Sequence, residues 1–233
     1  MGEASGNNVL DAARAGQQLG GGNQVAAFGW SQGGHAVLFA RERARTYAPE
    51  LDVVGVVAAA PVTDVGLFLL QGRTDPDIFP FTAEAVLAWS EVYAEPDLSD
   101  LVVVPDAEKV RLARADSCTG DLTTTEPLDD IFLGEPQNLD VWRAAAQLNT
   151  PAAGAADIPV LVTHGDADPL VPIQGTIAYH DALCVSGEHV IFLRDATWGH
   201  TLAWAAPLPD IVSWIEARFA GQPAPTDCPG ASP

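Results

Sequence analysis

A serine flanked by a glycine two positions away on either side has the spacing of a nucleophile held on a sharp turn. The residues of this elbow are Gly29, Trp30, Ser31, Gln32 and Gly33. We expect the turn to give Ser31 a positive φ, and we expect glycine at both ends because side chains there would clash with the sheet and the helix. The backbone N–H of Gln32, at the start of the following helix, is a candidate donor to an oxyanion.

A serine hydroxyl needs a base before it can attack a carbonyl carbon. The chain offers five histidines: His35, His164, His180, His189 and His200. His200 follows an apolar strand in a loop with Trp198 and Gly199, from which it can reach over the edge of a sheet, so we predict that it is the base. His35, four residues after Ser31, is expected to pack locally on its helix. His164 ends a strand beside the acid loop, where it could line the site, whereas His180 falls within a helix and His189 near the start of a strand.

Two aspartates compete for the role of the acid that orients this base. Both follow the predicted strand Ile158–His164. Asp168 is followed by Pro169 and lies deeper in the turn, so we predict that it points toward His200. Asp166 is expected to bond the backbone of its own loop, as an Asx turn does. The resulting chain order of serine, aspartate and histidine is that of the α/β hydrolases.

The elements around these residues predict an α/β fold, with a mostly parallel sheet and helices on both faces. The apolar run Gln24–Phe28, a helix over 34–47 and the Val-rich run Leu51–Ala60 form a strand-helix-strand unit. The other predicted core elements are a helix over 8–19, a helix at Ile173–Leu183, a strand at Glu188–Leu193 and a helix at Leu208–Phe219.

Between the two halves of the core, punctuation by Pro and Asp predicts a helical insertion that acts as a cap. Its predicted helices are Thr82–Tyr93, Asp106–Ala115 and Leu139–Leu148. The predicted organisation is therefore a first part of the hydrolase core over 1–61, the cap over 62–157, a second part of the core over 158–220 and an irregular tail over 221–233. Apolar residues of the cap are expected to line an acyl pocket above Ser31.

Composition excludes several classes of partner. A formal net charge of -20 would repel phosphate backbones, so we expect no nucleic-acid partner. The longest apolar run, Val53–Val62, is shorter than the ~18 residues of a membrane span, and the N-terminus lacks the pattern of a signal peptide. The three cysteines, Cys118, Cys184 and Cys228, match no metal motif. One disulfide and one remaining thiol, or three buried thiols, would both fit.

The elbow and its helix, the following Ala-Pro-Glu-Leu segment at 48–51, the acid loop His164–Pro172 and the pair Gly199-His200 together resemble the secretory lipase family. The resemblance extends from Asn8 to Phe219. It implies a secreted serine hydrolase that cleaves carboxylic esters, including acylglycerols, and has a helical cap. It implies no metal and no organic cofactor.

The chain departs from this family at its start. Only 24 residues precede Val25, whereas an α/β hydrolase normally has about four strands before the nucleophile strand, and no His-Gly-Gly-Gly segment is present. We therefore interpret the chain as the C-terminal two-thirds of a hydrolase domain. We expect a sheet of about four strands with Gln24–Phe28 at an exposed edge, able to pair with another chain, and poor solubility or weak activity.

Two alternative functions remain open from the sequence. One is a serine peptidase of the prolyl-oligopeptidase type, which shares the elbow, the residue order and the fold. The other is an inactive hydrolase fragment that only binds apolar ligands or a partner. Reaction with a fluorophosphonate separates the second from an enzyme, because only an activated serine reacts quickly.

Overall fold

The structure, a computed structural model, describes residues 2–102, 139–154 and 156–230. Within these residues it contains one parallel sheet whose strands lie side by side in chain order. The strands are β1 (Gln24–Trp30), β2 (Asp52–Ala59), β3 (Val160–Gly165) and β4 (Val190–Asp195). The predicted parallel α/β sheet of about four strands is confirmed, and β1 lies at an edge of the described sheet.

The helices of the described residues are α1 (Gly2–Gln18), α2 (Gln32–Tyr47), α3 (Val65–Gly72), α4 (Phe79–Val92), α5 (Leu139–Leu148), α6 (Ile173–Val185), α7 (Leu202–Ala205) and α8 (Leu208–Phe219), with a 3₁₀ turn at Leu98–Asp100. The predicted bounds of α5 and α8 are confirmed. Strands β3 and β4 each begin two residues later than predicted, and α3 and α7 had no predicted counterpart.

Helices cover both faces of the sheet. Alternate residues of β2 and β3 point in opposite directions, so Val56 and Val160 pack in a cluster with Leu38 of α2 and Leu183 of α6. Val57 and Leu161 belong to a second cluster with Ile211 and Trp214 of α8. This double cover explains why both strands read as continuous runs of apolar residues, and it confirms the predicted helices on both faces.

Helix α1 begins at Gly2, six residues before its predicted start. Glycine is a poor helix former, which is why the sequence pattern favoured a later start. The structure shows what the small residues do: a Cβ at Gly6 would lie 2.6 Å from the backbone of Phe39 in α2. Close packing of α1 on α2 therefore outweighs the low helix propensity of this segment.

Residues 65–149 form a second compact unit, separate from the unit made of 1–64 and 150–233. Within it, α4 and α5 are joined by Trp89 and Trp142, whose rings stack with centroids 6.4 Å apart. The side-chain amide of Asn149 donates to the Tyr93 hydroxyl at 2.9 Å. Helix α4 begins at Phe79 rather than at the predicted Thr82, with Pro80 in its first turn. The predicted helix at 106–115 lies outside the described residues.

A disulfide joins Cys184 at the end of α6 to Cys228 in the C-terminal tail. The tail has no helix or strand up to residue 230, as predicted, yet it is fixed to the sheet. The backbone N–H of Asp227 donates to Val190 at 3.1 Å, and its carboxylate accepts the N–H of Phe192 at 2.9 Å. Cys118 lies outside the described residues. None of the described helices is long and apolar enough to cross a bilayer.

Candidate active site

Ser31 stands between the end of β1 and the start of α2, on a backbone turn with φ 57° and ψ -120°. The predicted positive φ is confirmed. This conformation is costly for a residue with a Cβ, so the surroundings must impose it. One such restraint is the hydrogen bond from the Ser31 N–H to the carbonyl of Ala59 at the end of β2, at 2.8 Å. Helix α2 begins at Gln32, two residues earlier than predicted.

The two glycines of the elbow, Gly29 and Gly33, differ in whether a side chain would fit at their positions. A Cβ at Gly29 would lie 2.0 Å from the carbonyl oxygen of Gly33, so only glycine fits at position 29. A Cβ at Gly33 would meet no heavy atom within 4 Å. The predicted clash at Gly33 is therefore wrong, because the helix turns that position toward open space. The close approach lies one residue later, where a Cβ at Gly34 would be 3.1 Å from Ala59 and Pro61.

His200 and Asp168 meet directly. The Nδ1 atom of His200 lies 2.7 Å from Oδ2 of Asp168, and the two side chains are 9% and 0% exposed. Asp168 is in the loop after β3 and His200 is in the loop after β4, so neighbouring parallel strands deliver them to the same edge of the sheet. Ser31 follows β1 at the same, carboxyl end of the strands, which is where open α/β sheets place their ligands.

Backbone contacts hold the two loops together. The carbonyl of Trp198 accepts the N–H of Ala167 at 3.1 Å, and the carbonyl of Asp195 accepts the N–H of Asp166 at 3.0 Å. A Cβ at Gly165 would lie only 1.9 Å from that Trp198 carbonyl, so glycine at this position permits the close approach. The acid loop and the histidine loop are therefore positioned as one piece.

The carboxylate of Asp168 is held in its ionised form. Burial by itself raises the pKa of this group, but hydrogen bonds from His164 and His200 and from the backbone N–H groups of Val171 and Leu170 oppose it and lower the pKa well below its usual range. The backbone donors lie 3.0 and 2.9 Å from Oδ1. A buried carboxylate that receives this many hydrogen bonds is fixed in orientation and stays charged at neutral pH.

Asp166 faces away from this arrangement. Its side chain forms an ion pair with Arg194 of β4 and is 35% exposed. The prediction that Asp166 bonds the backbone of its own loop is wrong: a cation on the neighbouring strand offers a stronger partner than the loop amides. Of the two aspartates considered, the structure brings only Asp168 to His200.

Trp30 has a positioning role that its place in the elbow pattern did not reveal. Its indole N–H donates to the carbonyl of His200 at 3.0 Å, and its ring lies 5.0 Å from the imidazole, centroid to centroid. The residue preceding Ser31 therefore holds the backbone of the histidine loop. The only signal in the sequence was an aromatic residue at a variable position of the elbow, which is too common to interpret alone.

The other histidines are placed as follows. His35 packs on Phe39, with ring centroids 4.9 Å apart, as predicted. His189 is exposed at the residue before β4. His180 lies within α6 beside the disulfide, with Nε2 3.7 Å from the Cys184 sulfur. Among the described residues, this histidine and the two bonded cysteines are the sole group close enough to hold a metal, and a disulfide leaves no thiolate for one.

Comparison with solved structures defines the class of the fold. The chain resembles the closed state of Candida antarctica lipase A with a TM-score of 0.79 and 20% identity, covering 100% of this chain and 58% of that one. At this identity the likeness establishes the fold alone, which is the α/β-hydrolase fold.

The model of the secretory lipase family matches residues 1–98 and 97–227, so the chain belongs to that family. It is 27% identical over 208 residues to lipase A from Arthroderma benhamiae, covering 84% of this chain and 44% of that protein. It is 28% identical over 216 residues to a Mycobacterium tuberculosis protein named probable inactive lipase, covering 85% and 46%. The chain thus spans about half the length of the curated relatives it matches.

Proposed function

We propose that the protein is a carboxylic ester hydrolase in which Ser31 is the nucleophile, His200 the base and Asp168 the acid. The observation that carries the proposal is the buried contact of 2.7 Å between His200 and Asp168, anchored to the elbow through the indole of Trp30. Membership of the secretory lipase family supports ester hydrolysis and export from the cell.

In the first half of the reaction, the Ser31 hydroxyl attacks the ester carbonyl carbon while Nε2 of His200 takes its proton. The contact of Nδ1 with Asp168 favours the tautomer in which Nε2 carries the free lone pair. The tetrahedral intermediate collapses to an acyl-serine, and the imidazolium returns the proton to the departing alcohol. Asp168 stays ionised throughout and stabilises the imidazolium.

In the second half, water attacks the acyl-serine, with His200 again accepting the proton and then giving it to Ser31. We propose that the backbone N–H of Gln32 donates to the oxyanion in both halves. Gln32 is the first residue of α2, and the first N–H groups of a helix have no partner within the helix. The same end of the helix carries a partial positive charge that favours the oxyanion.

Labelling of the purified chain with a fluorophosphonate tests the proposal directly. We expect stoichiometric modification of Ser31, no modification of Ser31→Ala, and turnover of p-nitrophenyl acyl esters that both Ser31→Ala and His200→Ala abolish. Unlabelled protein, or labelling that survives Ser31→Ala, would contradict it.

Two alternatives differ from this proposal in the bond that is cleaved or in the absence of activity. A serine peptidase of the prolyl-oligopeptidase type shares the residues and their order, and it would cleave peptide amides faster than acyl esters. A protein of this family without activity has a precedent in the Mycobacterium tuberculosis relative named probable inactive lipase, and such a protein could still bind apolar ligands. That alternative predicts that apolar ligands bind while the fluorophosphonate leaves Ser31 unmodified.

The exposed edge of β1 is a further candidate for pairing with another chain.

A further inference from the structure

Asp168, the acid of the proposed triad, is in contact with two imidazoles rather than one. Oδ2 of Asp168 lies 2.7 Å from Nδ1 of His200 and 3.1 Å from Nε2 of His164. The mechanism proposed above uses only the first contact. His164 is the penultimate residue of β3, and its side chain, like that of Asp168, has no exposed surface.

The surroundings of His164 determine which of its nitrogens carries a proton. Nε2 faces two acceptors, the carboxylate of Asp168 and the carbonyl of Val171 at 3.2 Å, so Nε2 must donate. In the neutral ring, Nδ1 is then an acceptor, and the hydroxyl of Thr176 in α6 lies 2.8 Å from it. Thr176 is fully buried, which leaves its proton few other partners. Hydrogen bonds thus run from Thr176 through His164 to Asp168.

We propose that His164 is a positioning residue of this site, which fixes the orientation of the Asp168 carboxylate and offsets part of its charge, and thereby sets how strongly that carboxylate holds His200. The inference rests on the proposed function, because it assigns His164 a role in the reactivity of Ser31. It also makes a structural claim that can be tested without turnover, namely that His164 governs the hydrogen bond between Asp168 and His200.

The direction of the effect follows from simple electrostatics. Among the residues that the structure describes, the ionisable groups in contact with the carboxylate are the two imidazoles, one from β3 and one from the loop before α7, while Asp166 pairs with Arg194. Without the N–H of His164, the carboxylate has one donor fewer and accepts more strongly from His200. That change favours protonated His200, which cannot act as the base, and it frees the carboxylate to rotate.

The variants His164→Leu and His164→Gln separate this role from packing. Leucine removes the donor, whereas glutamine carries an amide N–H about as far from the backbone as the imidazole Nε2. His180→Gln is the matched control, because His180 also contacts an aspartate, Asp227, but lies elsewhere on the fold. Thr176→Val and Thr176→Ser form a second pair, in which only serine keeps the hydroxyl that donates to Nδ1.

Three readouts apply to each purified variant: the rate of fluorophosphonate labelling as a function of pH, kcat and KM for a p-nitrophenyl ester, and the proton NMR signal of the Nδ1–H between His200 and Asp168. Loss of that signal in His200→Gln assigns it. For His164→Leu we expect kcat to fall about 10- to 100-fold with little change in KM. The pH of half-maximal labelling should rise by about 0.5 or more, and the NMR signal should move.

Recovery in His164→Gln to within about threefold of the original kcat, with His180→Gln unchanged, would support a role of the N–H donor itself. Unaltered kcat, pH dependence and NMR signal in His164→Leu would overturn the inference, and so would equal losses in the leucine and glutamine variants at equal melting temperature. If His164→Leu does not fold, the Thr176 pair decides, with valine impaired and serine not. If the unmodified chain neither labels nor turns over, the proposed function fails, and the NMR signal alone decides the role of His164.

Discussion

Two histidine–aspartate pairs in this protein have nearly the same contact distance and very different surroundings. His200 lies 2.7 Å from Asp168, and His180 lies 2.8 Å from Asp227. The side chain of Asp168 is fully buried and belongs to a loop at the carboxyl end of the sheet. The side chain of Asp227 is 39% exposed and belongs to the tail that runs along β4 near the disulfide.

The comparison shows that a short contact between histidine and aspartate does not by itself mark an active site. What distinguishes Asp168 is that buried donors hold its pKa below the usual range despite its burial, so the charge is kept in a fixed place. What distinguishes His200 is its connection to the elbow through Trp30. The second pair fastens the tail to α6 and β4.

Replacing the proposed nucleophile or the proposed base should give the largest effect. Ser31→Ala and His200→Ala should each lower kcat for p-nitrophenyl esters by on the order of 10⁴ or more, since each removes a group that the proposed mechanism uses in bond making. His180→Ala should stay within about twofold, as expected of a histidine remote from the reacting atoms. Steady-state kinetics at pH 8 measures kcat for these variants. Comparable losses in His180→Ala and His200→Ala would contradict the distinction between the two histidine–aspartate pairs.

Neutralising the aspartates should give the next largest difference. Asp168→Asn should lower kcat by about 10³- to 10⁴-fold, because an amide there no longer selects the tautomer of His200 or stabilises its cation. Asp166→Asn removes an ion pair with Arg194 on the surface and should cost far less, as should Asp227→Asn. If Asp166→Asn proves the most damaging of the three, the assignment of the acid is wrong.

Residue types and spacing were enough to predict that His200 and Asp168 meet, because both follow strands of a parallel sheet and such strands end at one edge. The same reasoning located Ser31 and its positive φ. It did not reveal the partners that come from elsewhere in the fold. The donor from Trp30 and the ion pair of Asp166 with Arg194 depend on how the loops pack, which the spacing of residues along the chain does not specify.

Errors in the predicted elements also arise from packing between parts of the chain that are distant in sequence. The small residues of the first turns of α1 suggested a later helix start, yet their size is what lets α1 approach Phe39 of α2. The clash predicted at Gly33 came from a general rule for elbows. That rule does not take into account that this position faces open space. The pairing of Cys184 with Cys228 required knowing that the tail returns along β4, beside the end of α6.

The pH dependence of activity should contain no step from Asp168. Burial raises the pKa of this carboxyl, but hydrogen bonds from His164, His200 and two backbone N–H groups lower it well below its usual range, so the carboxylate stays ionised at and above about pH 4. A kcat/KM profile from pH 4 to 9 measures this. An Asp168 that titrated within this range would add a protonation to the acid limb and steepen its slope toward two.

Opening the disulfide should affect stability and leave the chemistry intact. The bond closes a loop of 44 residues, and its loss should lower the free energy of unfolding by about 2–4 kcal/mol. Cys184→Ser and Cys228→Ser should therefore unfold at lower urea concentration, while kcat at 25 °C stays within about twofold, because the Asp168 loop does not depend on the tail. A strong loss of kcat in a cysteine variant that still folds would show that the region of His180 and Asp227 affects the pair His200–Asp168. That result would contradict the comparison.

The smallest expected effect concerns a carboxyl group that belongs to neither pair. Burial raises the pKa of Glu42 in α2 to about 7, although the N–H of Ala152 donates to it at 2.6 Å. A pKa raised in the folded state means that the stability tied to the protonated carboxyl is present below the unfolded pKa and is lost as the pH rises through about 7. Glu42→Gln keeps an acceptor for Ala152 without the charge, so it should raise Tm at pH 8.5 by about 1–3 °C and change it little at pH 5.

Glu50→Gln is the matched control for Glu42→Gln. A hydrogen bond from Arg14 lowers the pKa of Glu50, so its ionised form is the stabilising one and the glutamine should lower Tm slightly at pH 8.5. Thermal melts of both variants at the two pH values test the signs. Asp168 accepts hydrogen bonds from two imidazoles and two backbone N–H groups, whereas the donor to Glu42 is the N–H of Ala152. A Tm of Glu42→Gln that falls at pH 8.5 would mean that this donor is enough to make Glu42 a stabilised anion despite its burial.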